Sequence, residues 1–295
     1  MSSQTPDALS VLVAEPWQDF ALLDSGGGRK LERYGRFRLI RPEAQAMWRP
    51  ANADWQADGE FIGGSDEDGG GRWHLNPQMP PSWPLAWEEV RFHAACTPFR
   101  HLAFFPDMAP QWQWMRERTR PGQRMLNLFG YTGVGTLALA AQGAELTHVD
   151  ASKKAVEAAR ANQALSGMQA APVRWLVDDA LKFVQREERR GKRYDGIILD
   201  PPKFGRGPNG EVWRLEEGLP ALVAGCRALL DRESAFLVLT VYAIRMSALA
   251  IGTLLREATA DLGGRVEVGE MSIREEARGL LLPTAIFARW TPDEG

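Results

Sequence analysis

From about residue 100 the chain alternates short apolar runs with Ala- and Leu-rich stretches of helical character, and that alternation leaves few folds open. Short apolar runs bounded by turn residues read as buried strands, and strands separated by helices build a parallel sheet covered on both faces. Strands are predicted over 124–129, 145–150, 173–177, 196–200, 235–240, 265–273 and 280–290, with helices over 135–142, 153–166 and 180–190. The last two strands follow one another without a helical stretch between them, so they should pair antiparallel at one edge of the sheet. The expected fold class is α/β, with helices on both faces of the sheet.

Residues 1–95 have another texture, rich in Gly, Pro and Trp, with brief alternating stretches such as Arg36-Phe37-Arg38-Leu39-Ile40 that suit half-buried strands. They are read as a small β-rich domain, and 96–295 as the catalytic domain. A chain of 295 residues fits that division, since single cores rarely grow past about 250 to 300 residues. Trp17, Trp48, Trp55, Trp73, Trp83 and Trp87 all fall in the first unit. Each ring offers much burial to a small core; stacking on bases is the alternative reading. Gly26 to Gly28 and the acidic run from Gly63 to Gly71 are expected to be turns or mobile loops, and Pro80 to Pro84 a linker.

Composition narrows the function classes. No apolar run approaches the roughly 20 residues of a membrane span, and the opening residues lack the basic and apolar segments of a secretory signal, so a cytoplasmic location is expected. Cys96 and Cys226 are too few for a disulfide framework, and His74, His93, His101 and His148 form no ligand motif, so two reduced thiols and no metal are expected. A formal net charge of -3 gives no global attraction to phosphate, so any contact with nucleic acid needs a local basic surface. The best candidate is the segment from Arg29 to Arg38, which interleaves cations and aromatics; a solvated face is its other reading. Lys153, Lys154 and the basic run 186–193 read as solvated helix surface.

In open α/β sheets the ligand sits beyond the carboxyl ends of the strands. The first predicted strand there runs into Phe129-Gly130-Tyr131-Thr132-Gly133-Val134-Gly135, where glycines permit a sharp turn and close approach to a ligand at a helix start. Alone this turn is compatible with several cofactors, or with none. The second ends in Asp150-Ala151-Ser152, about twenty residues on, the spacing of an acid that accepts ribose hydroxyls. Ser152 is better placed to cap the next helix, which leaves Asp150 available. The third ends in Asp178-Asp179, of which one acid can accept an adenine amino group while the other caps a helix; Asp179 is preferred for adenine. The fourth ends in Asp200-Pro201-Pro202-Lys203-Phe204, a terminal acid followed by two rigid prolines and an aromatic. The prolines remove donors and should leave neighbouring carbonyls to a substrate, while Phe204 could stack on a planar ring.

With these residues in view, roughly 100–290 resembles the class I S-adenosylmethionine-dependent methyltransferases, with their Rossmann-like sheet, and especially the bacterial large-subunit ribosomal RNA methyltransferases. The matching features are Tyr131-Thr132-Gly133, Asp150, Asp178-Asp179 and Asp200 to Phe204. Phe104-Phe105-Pro106-Asp107 is similar to a stretch that helps wall the cofactor in relatives, and Gly279 to Leu282 to their closing hairpin. The resemblance implies S-adenosylmethionine as cofactor, held by Phe105, Pro106, Phe129 to Gly133, Gly135, Asp150 to Ser152, Asp178 and Asp179. It implies catalytic positions at Asp200, Pro201, Pro202, Lys203 and Phe204, and ribosomal RNA as partner.

Two departures bear on the chemistry. Relatives that methylate cytosine C5 need a cysteine nucleophile, and after the fifth strand this chain has Leu239-Thr240-Val241-Tyr242-Ala243 instead. Direct transfer to a nitrogen, or an oxygen, is therefore the expected reaction, with Asp200 and the Pro201 carbonyl region orienting the acceptor. The RNA-binding domain common in relatives is also unrecognisable upstream, which leaves protein or small-molecule acceptors open. A silent cofactor-binding module and a nicotinamide-dependent dehydrogenase are the competing classes; the second has no use for Asp200 to Phe204, and the glycines do not follow the dinucleotide fingerprint.

Overall fold

The chain was analysed as a computed structural model that describes residues 8–63, 71–242 and 246–293. Most of the acidic glycine run, and Ala243, lie outside the described residues. The first strand, β1 (Ser10–Ala14), is followed by a five-stranded sheet of β2 (Phe20–Gly26), β3 (Arg29–Tyr34), β4 (Phe37–Pro42), β5 (Gly59–Ile62) and β6 (Arg72–Leu75), then by a hairpin of β7 (Trp83–Trp87) and β8 (Val90–Ala94). The segment 80–84, expected as a linker, already enters β7, and its hairpin packs on α3 (Lys153–Leu165).

The central sheet has eight strands in the order β1, β16 (Arg265–Arg274), β17 (Leu281–Thr291), β15 (Phe236–Tyr242), β12 (Gly196–Leu199), β9 (Arg124–Leu128), β10 (Glu145–Asp150) and β11 (Val173–Val177). Only β17 runs against the others. Alternate residues feed two apolar cores. Met125, Ile198, Phe236 and Val238 enter one, under α1 (Ala109–Arg118) and α2 (Val134–Ala140). Leu126, Leu128, Ile197, Leu199, Leu237 and Leu239 enter the other, under α4 (Ala180–Arg189), α5 (Leu215–Ala228) and α6 (Ala248–Thr259). Burial on both faces explains why these strands are apolar throughout, each large side chain stabilising the fold by about 1.5–3 kcal/mol.

The antiparallel pair of β16 and β17 forms as expected, but it is not the edge. β1 lies beyond it, parallel to β16. The close approach depends on Gly269, where an added Cβ would stand 1.8 Å from the Ser10 carbonyl oxygen. Cys226 falls in a helix, α5, as its sequence surroundings suggest, whereas α6 escaped the helix predictions because Gly252 interrupts its pattern.

The first core runs without a break into the N-terminal strands through Phe20, Leu22, Tyr34, Leu39, Leu85 and Phe92. Trp83 and Trp87 are buried there. Indole N–H groups of Trp17, Trp48, Trp55, Trp73 and Trp83 donate to Ala86 O, Ser25 O, Asp24 Oδ2, Thr97 O and Tyr34 O, which favours packing over stacking on bases. A second tie joins the turn after β16. Buried Glu275 accepts from Ser25 Oγ, Arg278 bridges Glu275 to Asp24 and to the Ser25 carbonyl, and Glu276 N donates to Leu22 O.

The segment from Arg29 to Arg38 keeps Arg29, Arg36 and Arg38 exposed, while its other charges are taken up within the fold. Glu32 is fully buried and held by both ends of the Arg41 guanidinium at 2.7 and 2.8 Å, which also donates to the Tyr34 hydroxyl. Lys30 is buried beside Glu32 and Glu43, while Arg33 donates to the carbonyls of Trp17 and Gln18. Burial works against the Glu32 carboxylate, but Arg41 and Lys30 outweigh it and hold its carboxyl below the ordinary range. Removing one partner of such a pair strands a buried charge. Arg41→Met should therefore cost about 3 kcal/mol, read as a lower urea midpoint; an unchanged midpoint would show that the pair does not hold this sheet together.

Candidate active site

The carboxyl ends of β9, β10, β11, β12 and β15 bring most of the expected site residues to one end of the sheet. After β9 the chain turns through Phe129 and Tyr131, both at positive φ (58° and 49°), before Gly133 at φ 80° opens α2. Left-handed backbone at two non-glycine residues costs on the order of 1–3 kcal/mol each, so other contacts must hold the turn. Asp150 is one of them. Its Oδ2 accepts from Tyr131 N at 2.9 Å and its Oδ1 from Ser152 N at 2.8 Å. Thr132 Oγ1 donates to Ala103 O at 2.6 Å, and Asn162 Nδ2 donates to Thr132 O at 2.9 Å. Asn162 also accepts from His93 N at 3.0 Å, so one buried side chain on α3 joins β8 to the turn. A polar residue on the buried face of that helix was its only sequence signal.

Two of the glycines answer to packing. An added Cβ on Gly130 would stand 2.4 Å from the buried His148 ring, and on Gly133 2.8 Å from Ala159. Burial holds the His148 imidazole down to about 3, so it is neutral, with Nδ1 2.8 Å from Thr136 Oγ1. At Gly135 an added Cβ would approach Trp112 Nε1 to 3.2 Å.

Ser152 caps α3 as expected, its hydroxyl accepting from Ala155 N, and Ala151 is half-buried beside it. At the end of β11 the roles differ from expectation. Asp179, preferred for adenine, caps α4 by accepting from Lys182 N at 2.9 Å. Asp178, the expected cap, pairs with Arg186 and accepts from Asp179 N. The two roles need not exclude one another, since the cap uses only Oδ1 of Asp179.

At the end of β12 the proline pair is also used differently. Pro201 is buried, and the Pro202 carbonyl accepts from Trp213 Nε1 at 2.7 Å. That carbonyl anchors the hairpin of β13 (Phe204–Arg206) and β14 (Val212–Arg214) rather than waiting for a substrate. Trp213 packs on Phe129 with ring centroids 5.3 Å apart. On the other side of the hairpin Phe204, Arg206, Val212 and Arg214 face solvent, Phe204 with 54% of its surface exposed. Lys203 is exposed at its base.

Phe105, Phe129, Gly130, Tyr131, Thr132, Gly133, Gly135 and Asp200 line one concavity, and Pro106 opens the short 3-10 helix (Pro106–Met108) at its wall. Asp107 in that helix is buried, with the Tyr242 and Thr284 hydroxyls beside it. Burial, and then the carboxylates of Asp107 and Asp150, push Asp200 up to about 8. Burial likewise raises Asp150 and Asp107 above the ordinary carboxylate range. Asp200, in the lining of the concavity, thus stands where a cation is favoured. A larger groove of about 450 Å³ lies at the opposite ends of the strands, between Arg124, Thr147, Arg174 and Tyr194; none of the expected site residues reaches it, and ligands of such sheets bind at the other end.

Neither cysteine suits nucleophilic attack. Burial pushes the half-buried Cys96 thiol up to about 12 and raises that of the buried Cys226 further. A reactive cysteine needs the opposite shift.

Comparison with known proteins agrees with this geometry. Residues 67–231 match the S-adenosylmethionine-dependent methyltransferase family. A crystal structure of a S-adenosylmethionine-dependent methyltransferase from Agrobacterium tumefaciens is 46% identical, with a TM-score of 0.91 over 96% of this chain and 94% of that one. A solved structure from Streptococcus mutans, 15% identical with a TM-score of 0.72, shares the fold over 93% of this chain and 75% of its own. Ribosomal RNA large subunit methyltransferase I of Erwinia tasmaniensis is 31% identical over 131 residues, and that of Shewanella amazonensis 38% over 127. Those stretches cover 44% and 42% of this chain but only 33% and 32% of the relatives, so the chain spans about a third of their length.

Proposed function

Since the chain belongs to the S-adenosylmethionine-dependent methyltransferases, we propose that it moves a methyl group to a nitrogen of RNA, ribosomal RNA first among the candidates. The observation that carries this reading is the strand-end geometry, in which Asp150 braces the glycine turn through Tyr131 N and Ser152 N while that turn and Asp200 line one concavity. A sulfonium is a cation, and buried carboxylates that repel one another are relieved by it. The site also fits the rest of the cofactor. Asp150 retains lone pairs for ribose hydroxyls after accepting two N–H bonds, and Asp179 retains Oδ2 for an adenine amino group.

When bound, the cofactor supplies an electrophilic methyl group whose bonding pair stays with sulfur. The protein's part is to position. Asp200 accepts a hydrogen bond from the acceptor N–H, Pro201 and Pro202 hold that strand end rigid, and Phe204 stacks on the acceptor ring. The Pro202 carbonyl is excluded from that work because Trp213 occupies it. RNA is favoured as acceptor by the hairpin at the site's rim, where Lys203, Arg206 and Arg214 surround the exposed Phe204 and Val212. The names of the relatives point to the same substrate. Apart from β1, which belongs to the central sheet, residues 1–95 serve as the substrate-side unit and 96–295 as the catalytic unit, working in the cytoplasm; among the described residues no helix is long and apolar enough to cross a membrane.

Radiolabelled S-adenosylmethionine incubated with total RNA from a strain lacking this gene should label RNA, and digestion should return an N-methylated nucleoside. Replacing Cys96 and Cys226 together by Ser should leave that transfer within about twofold, because neither thiol is activated. Label confined to protein, or transfer abolished in the folded double variant, would overturn the nitrogen assignment on RNA. A second expectation follows from Asp200. A bound cation lowers its pKa, so cofactor affinity should climb as pH rises towards about 8 and level off above it. Asp200→Asn should remove that component of the profile in calorimetric titrations; an identical profile would place the cation away from Asp200.

A further inference from the structure

The groove of about 450 Å³ at the amino ends of the strands has no part in holding the cofactor. Its floor lies between β9, β10, β11 and the end of α4, where Leu146 and Val173 supply apolar surface and Glu187 a carboxylate only 3% exposed. That carboxylate is already satisfied. Oε1 accepts from Arg190 at 3.0 Å and Oε2 from the Tyr194 hydroxyl at 2.9 Å. The rim carries four exposed cations: Arg124 at the start of β9, Arg174 in β11, and Lys192 and Arg193 in the turn after α4. Among the described residues none of the four forms an ion pair, and Arg193 donates to the Lys192 carbonyl. Glu145, the other acid of the lining, is exposed opposite Arg124 in the strand register.

Four cations around one depression, in a chain whose formal net charge is -3, make a local field opposite in sign to that of the whole molecule. Like charges held together repel, and a polyanion relieves them while its own counterions are released. The groove also has a route to the methyl-transfer site. β11 is the end strand of the sheet. Along it stand Arg174 at the groove, Arg160 of α3, which reaches the Trp175 carbonyl, and Val177, 42% exposed, next to Asp178. The six residues of β10 separate the two ends, a span of about 20 Å. One nucleotide cannot bridge it, but a short strand can.

We propose that this groove is a second RNA-binding site, which holds the phosphate backbone of a strand whose target base lies at the other end of the sheet. Arg124, Arg174, Lys192 and Arg193 take phosphate oxygens, and the apolar floor takes the sugar between them. Such contacts fix the position of the RNA without reading its sequence. The basic run 186–193 thereby divides: Arg186 and Arg190 serve the fold through Asp178 and Glu187, while Lys192 and Arg193 face the RNA. This rests on the reading of the chain as an RNA methyltransferase and adds a binding site remote from the chemistry.

The test uses the full chain with Arg174→Gln and Lys192→Gln together. A control carries Arg232→Gln and Arg265→Gln, which remove the same charge from exposed positions outside the groove. Binding of a fluorescein-labelled single-stranded RNA 12-mer across a salt series, transfer of label to total RNA from the deletion strain, and calorimetry with S-adenosylmethionine are measured for each. The groove variant should bind the 12-mer about tenfold more weakly at low salt, with the slope of log affinity against log salt shallower by about 1.4, as for two lost phosphate contacts on a single strand. KM for RNA should rise with it, while kcat and cofactor affinity stay within about twofold, because the lost contacts are equal in ground and transition states. The control should keep the wild-type slope and KM. Wild-type slope and KM in the groove variant, an equal effect in the control, or a parallel loss of cofactor affinity would overturn the site. A slope that depends on Arg174 and Lys192 in a protein that transfers no label to RNA would instead overturn RNA methylation and leave the groove standing.

Discussion

The Asp150 carboxylate, accepting from the backbone N–H groups of Tyr131 and Ser152, is the constraint on which the rest of the site depends. It offsets left-handed backbone at Tyr131, ties the end of one strand to the turn after its neighbour, and fixes the start of α3. The other braces act on the same turn. Gly130 makes room for the His148 ring, Thr132 reaches Ala103, and Asn162 reaches Thr132. A turn held at this many points presents a formed site and pays little ordering entropy on binding. The same carboxylate helps raise Asp200, so the architecture and the electrostatics of the site meet in one side chain.

Much of this was legible in the sequence. Strands buried on both faces announce themselves as apolar runs, and their ends could be read for acids because the topology of such sheets fixes where ligands go. Asp150, Asp178, Asp179 and Asp200 were found that way, and the strands lie within two residues of their predicted limits. What failed was whatever depended on contacts distant in sequence. The pairing of β1 with β16 joins residues some 260 positions apart and has no local signature. The burial of Lys30 and Glu32 could not be read from the segment Arg29 to Arg38 because their partners Glu43 and Arg41 lie outside it.

The prolines and acids at the strand ends carry a subtler lesson. Residue type and spacing identified the right positions, but not the division of labour. Asp179 took the cap expected of Asp178, and the Pro202 carbonyl went to Trp213, eleven residues on. Both outcomes follow from the requirement that buried or strand-end polar groups find partners within the fold before any ligand arrives. Asn162 was not picked out because a polar side chain inside an apolar pattern gives no hint of which partner it lacks.

The claim at the centre of this account is that the strand-end acids and the turn they brace form a cofactor site for S-adenosylmethionine. Calorimetric titration of the wild-type chain and of Asp150→Ala with S-adenosylmethionine and with NAD tests it most directly. The account predicts saturable one-to-one binding of S-adenosylmethionine, no response to NAD, and at least a tenfold loss of affinity in a variant that keeps its circular dichroism spectrum. Binding of NAD in place of S-adenosylmethionine, or unchanged affinity in Asp150→Ala, would contradict it.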